Sequence, residues 1–183
     1  MNKRLLVLVT AIVVGFLPAC DESNESTPDA GYFIYNGTTY PLYKGQIGNY
    51  GLEPSGCYNT ALYLFSDGLS PDPELDFVGQ GNLIYFALFS TTENALDNSV
   101  YQWSSVEETL GTFYQADCMF NYNSVTESYD SKVDIIGGTV SVERNADEYT
   151  ITFDCTCSNS KKITGTYTGS LSLKYYNWLK NWI

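Results

Sequence analysis

The sequence predicts an all-β protein: an antiparallel β-barrel, with a β-sandwich as the alternative. Three observations favour this fold class. From residue 31 onward apolar residues recur at every second position, as in half-buried strands. Turn-forming residues separate these segments, and the last segment is too long for one flat strand. Helical spacing of apolar residues occurs only at the C-terminus, at Trp178, Leu179, Trp182 and Ile183. These residues are expected to form one amphipathic turn over a barrel mouth or, alternatively, a frayed tail.

The N-terminus has the pattern of a secretory signal peptide. Lys3 and Arg4 precede an unbroken apolar run over residues 5–17, which is too short to span a membrane. The motif Leu17-Pro18-Ala19-Cys20 resembles the lipobox of bacterial lipoproteins. The resemblance implies that residues 1–19 are removed and that Cys20 carries the lipid that anchors the protein to a membrane. The alternative is an ordinary secreted protein.

Residues 20–30 form a polar, acidic segment that is expected to be a solvated tether. Its acidic start resembles the export signal of Bacteroidota lipoproteins, which implies attachment to the outer membrane with display on the cell surface. Two alternatives stay open: a location on the periplasmic face, and the inner-membrane retention that an Asp after the Cys implies in proteobacterial lipoproteins. Residues 31–183 are the predicted antiparallel β domain.

The first predicted element is a hairpin over residues 32–42. Asn36-Gly37 accepts the positive φ angles of a two-residue type I′ turn, which lies between two alternating segments. Pro41 has no N–H to donate, so its strand is expected at a sheet edge or at a strand end.

The middle of the chain predicts four strands. Apolar runs at 58–65 and 83–89 and shorter segments at 100–103 and 111–114 have strand composition. A glycine-rich stretch at 44–56 and an acidic stretch at 67–82 are predicted loops, and Glu107-Glu108 lies in a predicted turn. The acidic stretch holds four carboxylates in ten residues, which is more typical of a solvated loop than of a calcium site.

The last third shows the clearest alternation. Strands are predicted at 139–143, 149–156 and 162–176, with Ile163, Tyr167 and Leu173 on the inward face of the last one. That strand would span about 50 Å if it were straight. Gly165 and Gly169 on its inward face allow the bend of a barrel corner and would leave room for a ligand unless aromatic side chains cover them.

These segments together resemble a group of Bacteroidota lipoproteins with small calycin-like (lipocalin-like) barrels. The resemblance rests on residues 35–42, 137–142, 149–154 and 163–171. Its motifs are turn glycines and core alternation, so it implies a fold and a cell-envelope location and carries over no catalytic residue. The Gly-x-Trp motif of lipocalins is absent, which weakens the expectation of a lipocalin-like ligand site.

Four cysteines besides Cys20 predict disulfides in an exported protein. Pairing within Cys155-Thr156-Cys157 is disfavoured because alternate strand residues project in parallel. We therefore predict that Cys57 and Cys118 each bond to one member of the Cys155/Cys157 pair. The alternatives are a buried free thiol at Cys155 and a zinc site, whose spacing is poor.

Composition excludes several functions. The chain has no histidine, so Ser-His-Asp triads and histidine metal ligands are excluded. A net charge of −12 argues against nucleic acid as a partner. No motif indicates a metal or a cofactor. Two carboxylates suffice for a glycosidase, but the sequence does not show which acids face each other.

Aromatic side chains are the remaining signal, with 16 tyrosines and 3 tryptophans. Such rings suit contact with sugars or peptides, although most are expected to be ordinary strand residues. The candidates for exposed binding residues are those in or near loops: Tyr43, Tyr50, Tyr58, Tyr101 and Trp103.

The function expected from the sequence is a lipid-anchored, non-enzymatic binding module with a glycan or protein partner. The first alternative is a lipocalin-like carrier that holds a small apolar ligand inside the barrel. The second is a carboxylate-dependent hydrolase.

Overall fold

The computed structural model describes residues 30–72 and 76–176. Within these ranges it contains eleven β-strands, and no helix that could cross a membrane is found there. The strands are β1 (Gly31–Tyr35), β2 (Thr38–Leu42), β3 (Lys44–Leu52), β4 (Tyr58–Phe65), β5 (Leu69–Pro71), β6 (Phe77–Ser90), β7 (Ser99–Trp103), β8 (Thr112–Asn123), β9 (Ser131–Asn145), β10 (Glu148–Cys157) and β11 (Lys162–Tyr175).

Eight of these strands close into a barrel, which confirms the predicted fold class. The wall runs β3, β4, β6, β8, β7, β9, β10, β11, and the β11–β3 and β10–β11 ladders close it. Closure leaves the barrel strands paired on both sides and so removes the open edges that promote aggregation. Strands β1, β2 and β5 lie outside the ring of eight.

The barrel is mixed and not wholly antiparallel, because β3 pairs with β11 and β7 pairs with β8 in parallel. Only Tyr43 separates β2 from β3, so β3 keeps the direction of β2. Strand β1 is antiparallel to both β2 and β11, and β3 must therefore run parallel to β11. Likewise β7 and β8 are both antiparallel to β9.

The β1–β2 hairpin forms as the sequence predicts. Asn36 and Gly37 have φ values of 52° and 80°, as a type I′ turn requires. Strand β2, with Pro41, is the terminal strand in the sheet order, which suits a residue without an N–H. Phe33 is fully buried and stacks on Tyr40 at 4.7 Å, so the hairpin is part of the barrel core.

Two strands were predicted as loops. Strand β3 occupies most of the glycine-rich stretch, and β5 lies in the acidic stretch. Glycine in β3 reflects close packing: a Cβ on Gly48 would lie 2.5 Å from the Tyr176 ring, and one on Gly45 would lie 2.3 Å from the Leu171 side chain. Glycine in a strand marks such approaches as readily as a turn.

Side chains fill the barrel interior. A continuous cluster of buried residues from β1, β4, β6, β8, β9, β10 and β11 forms the core. A Cβ on Gly165 would lie 2.4 Å from the Phe153 ring, and one on Gly169 would lie 2.9 Å from the Tyr167 hydroxyl. The space that these glycines were expected to leave for a ligand is therefore occupied by aromatic rings.

Strand β11 follows the predicted alternation until its pairing with β10 ends at Ser170. Ile163 and Tyr167 face the core as predicted. Leu171 still packs against the core, but the pattern is reversed after it: Leu173 is 37% exposed, whereas Lys174 is only 7% exposed. Here β11 lies along β3, and the outer side of the wall carries a second apolar cluster.

This outer cluster lies on the outward face of the wall. Its buried members are Ala61, Tyr63, Phe65, Leu69 and Leu83. They alternate with core residues along β4 and β6, and β5 covers part of them by pairing with the first residues of β6. The wall around β4 is thus apolar on both faces, which explains why β4 and β6 appear in the sequence as nearly continuous apolar runs.

Candidate functional site

Strand β7 divides β8 from β9 at one end of the barrel. Its ladders join Trp103 to Phe113 of β8 and Ser99–Gln102 to β9. Direct β8–β9 pairing begins only at Asp117–Asp134. Between the β7 ladders and the β8–β9 ladder, Tyr114–Ala116 of β8 form no backbone pairs with β9. The residues of β9 that directly follow Asp134 likewise form none with β8. The two strands diverge where β7 ends, and a cleft opens there in the outer wall.

We call this opening the wall cleft. Its volume is about 340 Å³, within the range of small-ligand sites. The side chains around it are aromatic, polar and charged, and they come from four strands. It is lined by Tyr85, Trp103, Tyr114, Gln115, Ala116, Asp117, Lys132, Asp134, Ile135 and Ile136.

Asp117 is the unusual residue of the wall cleft because it is a carboxylate that is only 8% exposed. Its Oδ2 lies 3.0 Å from Nζ of Lys132. Its Oδ1 is buried and has no hydrogen-bond partner in the described part of the chain. Burial raises the pKa of the Asp117 carboxyl, although the Lys132 ammonium opposes the shift. An acceptor without a donor is costly inside a protein. Because this oxygen is covered by neighbouring atoms, a ligand hydroxyl reaches it only after the side chains around it move.

Lys132 holds two carboxylates together. Its ammonium lies 3.0 Å from Asp117 and 3.9 Å from Asp134. The hydrogen bond to Asp117 raises the pKa of Lys132, so the ammonium stays charged at neutral pH. Two acids and one base leave the cleft with a formal charge of −1 when all three are ionised, which disfavours anionic ligands.

Three aromatic side chains form the apolar part of the wall cleft: Tyr85, Trp103 and Tyr114, all half-buried. Tyr85 is the ladder partner of Asp117, and burial, with further contributions from nearby groups including Asp117, raises its phenol pKa. Tyr85 therefore keeps its proton and remains a hydrogen-bond donor. Aromatic faces beside a carboxylate suit a ligand with one apolar face and several hydroxyls.

Trp103 is the one predicted binding residue that lines the wall cleft. Tyr50 lies on the outer face of the barrel, stacked on Tyr176 at 4.4 Å. Tyr43 and Tyr58 are half-buried beside β3 and at the start of β4. Tyr101 is not exposed as expected. It is fully buried in the core, where its hydroxyl accepts a 3.0 Å hydrogen bond from the Asp97 N–H.

Asp117, Lys132, Tyr85 and Tyr114 were not predicted as site residues. The signal in the sequence is an acid between the apolar residues Ala116 and Cys118, and the structure shows that both neighbours are buried in β8. A charged residue in that position requires a partner or a function. No comparable local signal identifies Lys132, because its role depends on the pairing of β8 with β9.

The predicted disulfides are wrong in this structure, because Cys57, Cys118, Cys155 and Cys157 are all buried free thiols. Cys118 pairs through Ile84 with Leu64 of β4, which places it about 20 Å along the barrel from Cys57. Burial raises the pKa of Cys118, and it raises that of Cys155 to about 12, so both stay protonated and unreactive.

A second geometric reason separates Cys118 from Cys157. Cys118 of β8 pairs with Val133 and Cys157 of β10 pairs with Ile135, so the two cysteines lie on strands that flank β9 on opposite sides. Two strand spacings are about 10 Å, and a disulfide requires Cα atoms within about 7 Å. Cys155 instead directs its thiol to the Thr139 carbonyl at 3.5 Å.

The described acids of the acidic stretch are Asp67, Asp72 and Asp76. Among the described residues, no group of three or more Cys, Asp or Glu side chains could hold an ion. Asp76 instead pairs with the buried ammonium of Lys174. The lipidation site Cys20 and the C-terminal turn at 178–183 lie outside the described residues.

Two clefts larger than the wall cleft lie at the barrel end formed by the β6–β7 loop and the β9–β10 turn. They have volumes of about 730 and 630 Å³ and share Asn98, Ser99 and Arg144. Asp97, the partly buried carboxylate that lines the larger of the two, is already bound by the Thr91 N–H and by the hydroxyls of Thr91 and Thr92. The acids that line the other, Glu143 and Glu148, are exposed. The wall cleft is smaller, but it alone of the three contains a buried acceptor with no partner among the described residues.

Comparison with known proteins adds no assignment. No family model matches the chain, and no curated protein or solved structure matches it.

Proposed function

We propose that this protein is a lipid-anchored binding module of the bacterial cell envelope that recognises a glycan through its wall cleft. The sequence supports the anchor, with a signal-like segment, a lipobox-like motif ending at Cys20 and an acidic tether. The similarity of that tether to the Bacteroidota export signal supports attachment to the outer membrane and display on the cell surface. A body with more acids than bases is repelled by anionic headgroups, so the tether would hold it away from the bilayer.

One observation carries the choice of ligand: Asp117, a nearly buried carboxylate whose Oδ1 has no hydrogen-bond partner among the described residues, lines a cleft beside aromatic rings. A sugar offers hydroxyls that donate to a carboxylate oxygen and an apolar ring face that packs against Trp103 or Tyr114. Lys132 and Gln115 add donors for sugar oxygens. The cleft thus combines the two kinds of contact that a neutral sugar needs.

The packed interior supports the surface site over the interior carrier. Phe153 and Tyr167 occupy the space next to Gly165 and Gly169, where an apolar ligand would have to lie. A protein partner is less favoured than a glycan because stable protein interfaces bury about 800 Å² per partner over a broad surface. The carboxylate that keeps one oxygen without a partner among the described residues lines a narrow cleft.

Glycan-array screening of the purified full chain in detergent, followed by calorimetry on each hit, tests the proposal. We expect binding to a neutral glycan, with affinity lowered about tenfold or more by Trp103→Ala and by Asp117→Ala. Tyr32→Ala is the matched control, since Tyr32 is exposed on β1 outside the wall cleft. Absence of glycan binding, or binding that both cleft variants leave unchanged, would overturn the proposal. Capture of a protein partner that the cleft variants do not affect would also count against it.

A carboxylate hydrolase is the second candidate, because Asp117 and Asp134 contact the same ammonium within one cleft. Glycosidases use two such carboxylates, one of them with a raised pKa, as Asp117 has. A binding function is preferred over hydrolysis because the Lys132 ammonium lies between the two acids, in the space where a hydrolase holds its substrate. Release of reducing ends from a bound glycan, abolished by Asp134→Asn, would favour the hydrolase.

A further inference from the structure

The wall cleft is one end of a longer row of outward side chains. Four ladder partners lie side by side across β4, β6, β8 and β9: Tyr63, Tyr85, Asp117 and Asp134. All four alternate with residues of the barrel core, which places them on the outer face. Three strand spacings give the row a length of about 14 Å. Tyr85, Asp117 and Asp134 line the wall cleft, so the row extends one strand beyond it, to Tyr63 of β4 beside β3.

A stacked tyrosine pair lies at the far end of this row. The rings of Tyr50 and Tyr176 are 4.4 Å apart and nearly parallel, at 9°. The Tyr63 hydroxyl lies 3.1 Å from the Tyr50 hydroxyl and 3.4 Å from the Tyr176 hydroxyl. Tyr63 is buried, whereas both members of the pair are half-buried. The buried hydroxyl thus holds the two partly exposed rings in a fixed orientation, which lowers the entropy cost of binding a ligand on them.

Tyr85 connects the pair to the cleft. Its ring lies 5.2 Å from the Tyr63 ring at an angle of 28°, and it also lines the wall cleft beside Asp117. Burial raises the phenol pKa of Tyr63, Tyr85 and Tyr176, so all three hydroxyls are uncharged at physiological pH. We call Tyr50, Tyr63, Tyr85 and Tyr176 the tyrosine strip.

The charge beside the strip is balanced. Lys174 lies next to Tyr176, with its ammonium 5.5 Å from the ring centroid, and its charge is paired with Asp76. The strip therefore offers aromatic faces and neutral hydroxyls without an unpaired cation for an acidic ligand. This surface has the same chemistry as the apolar part of the wall cleft.

We propose that the ligand is a linear, neutral oligosaccharide that occupies the wall cleft with one sugar unit and lies along the tyrosine strip with the following units. The inference rests on the proposed function, because it assigns a length and a direction to the glycan bound there. A single sugar fills the cleft but does not reach the Tyr50–Tyr176 pair. A chain of several units contacts both and gains affinity from the second contact.

The test is a chain-length series measured by calorimetry on the full chain. The probes are gluco-, xylo- and manno-oligosaccharides from two to six units, in both α- and β-linked glucose forms. We expect affinity to rise about tenfold or more between the disaccharide and the hexasaccharide of one series. Tyr176→Ala should remove this gain and leave disaccharide affinity unchanged, whereas Trp103→Ala should weaken every length. Tyr32→Ala is the control, and unfolding curves show whether each variant is folded.

The outcomes separate the two proposals. Equal affinity for all lengths, with sensitivity to Trp103→Ala, overturns the strip and leaves the wall cleft as the glycan site. A length dependence that neither Tyr176→Ala nor Tyr50→Ala changes also overturns the strip. Failure of every series to bind contradicts the proposed function and the strip together.

Discussion

Asp117 and Lys132 contact each other across β8 and β9 at 3.0 Å, yet within the described ranges only one oxygen of the Asp117 carboxylate has a partner. The pair lies where β7 ends and the barrel wall divides. A barrel with eight strands in a closed ring has few places where a buried polar group can meet a ligand. This division of the wall creates one, and the charge buried there determines most of what we expect from the site.

The first prediction concerns the pH dependence of stability. The folded state raises the Asp117 pKa, mainly by burial, so the folded protein binds that proton more tightly than the unfolded chain does. The contribution of Asp117 to the free energy of unfolding is therefore most favourable below the unfolded pKa of about 3.9 and falls as pH rises through the folded pKa. Urea unfolding of the wild type and of Asp117→Asn is measured from about pH 4 to 7. The free energy of unfolding of the wild type should exceed that of the variant by an amount that declines as pH rises. A constant or increasing difference would contradict the raised pKa.

The second prediction concerns the partner of that carboxylate. Lys132→Met leaves Asp117 without its ammonium and should lower the free energy of unfolding by about 1–2 kcal/mol at pH 7. Lys162→Met is the matched control, because Lys162 and Asp154 form an ion pair at 2.7 Å in which both side chains are more than 60% exposed. Such a pair contributes less than about 1 kcal/mol. Equal losses in the two variants would show that burial of Asp117 has no energetic consequence.

The third prediction concerns the hydroxyl at the centre of the tyrosine strip. Tyr63→Phe keeps the ring in place but removes the oxygen between Tyr50 and Tyr176. We expect a loss of about 1 kcal/mol in the free energy of unfolding. Tyr32→Phe should cost almost nothing, since Tyr32 is 45% exposed. Thermal and chemical unfolding measure both variants, and a neutral Tyr63→Phe would mean that this hydroxyl does not fix the pair.

The fourth prediction tests the packed interior. Gly165→Ala places a Cβ 2.4 Å from the Phe153 ring and 2.5 Å from the Tyr32 carbonyl oxygen. Overpacking of this kind costs about 1–3 kcal/mol. Gly137→Ala is the control, because its Cβ would meet only Thr156 at 3.7 Å, an ordinary contact distance. If the two variants are equally stable in urea, the space above Gly165 is open and an interior ligand becomes possible again.

The fifth prediction concerns the thiols. Cys57, Cys118, Cys155 and Cys157 are buried and free, so a thiol reagent should not label them in the native protein. In denaturant without reductant all four should react, in a chain carrying Cys20→Ser so that no other thiol is present. A count of zero in denaturant would restore the disulfide prediction.

The strand and turn predictions were correct where the structure depends on residues close together in the sequence. The Asn36-Gly37 turn and the alternation of β10 follow from positive φ and from a two-residue period. Strand β3 was missed because its glycines resemble those of a loop. Their actual cause is the approach of Tyr176 and Leu171, residues more than 120 positions later in the chain.

The candidate site was predicted only in part, through Trp103. The disulfide prediction failed for a related reason, since a count of cysteines does not show that β9 lies between Cys118 and Cys157. Asp117 and Lys132 become neighbours because β8 pairs with β9. Trp103 lies near them because β7, which pairs with β8 at Phe113, ends beside the same cleft.

Residue order and composition were enough for the fold class, the first hairpin, the inward face of β10 and of the first part of β11, and the exclusion of histidine-based chemistry. Each of these depends on periodicity, turn residues or residue counts, which act over a few positions. The filled interior, the free thiols, the wall cleft and the tyrosine strip required the three-dimensional arrangement. They depend on which strands pair. Strand pairing brings together residues that are far apart in the chain, and local sequence patterns do not show which distant residues will be in contact.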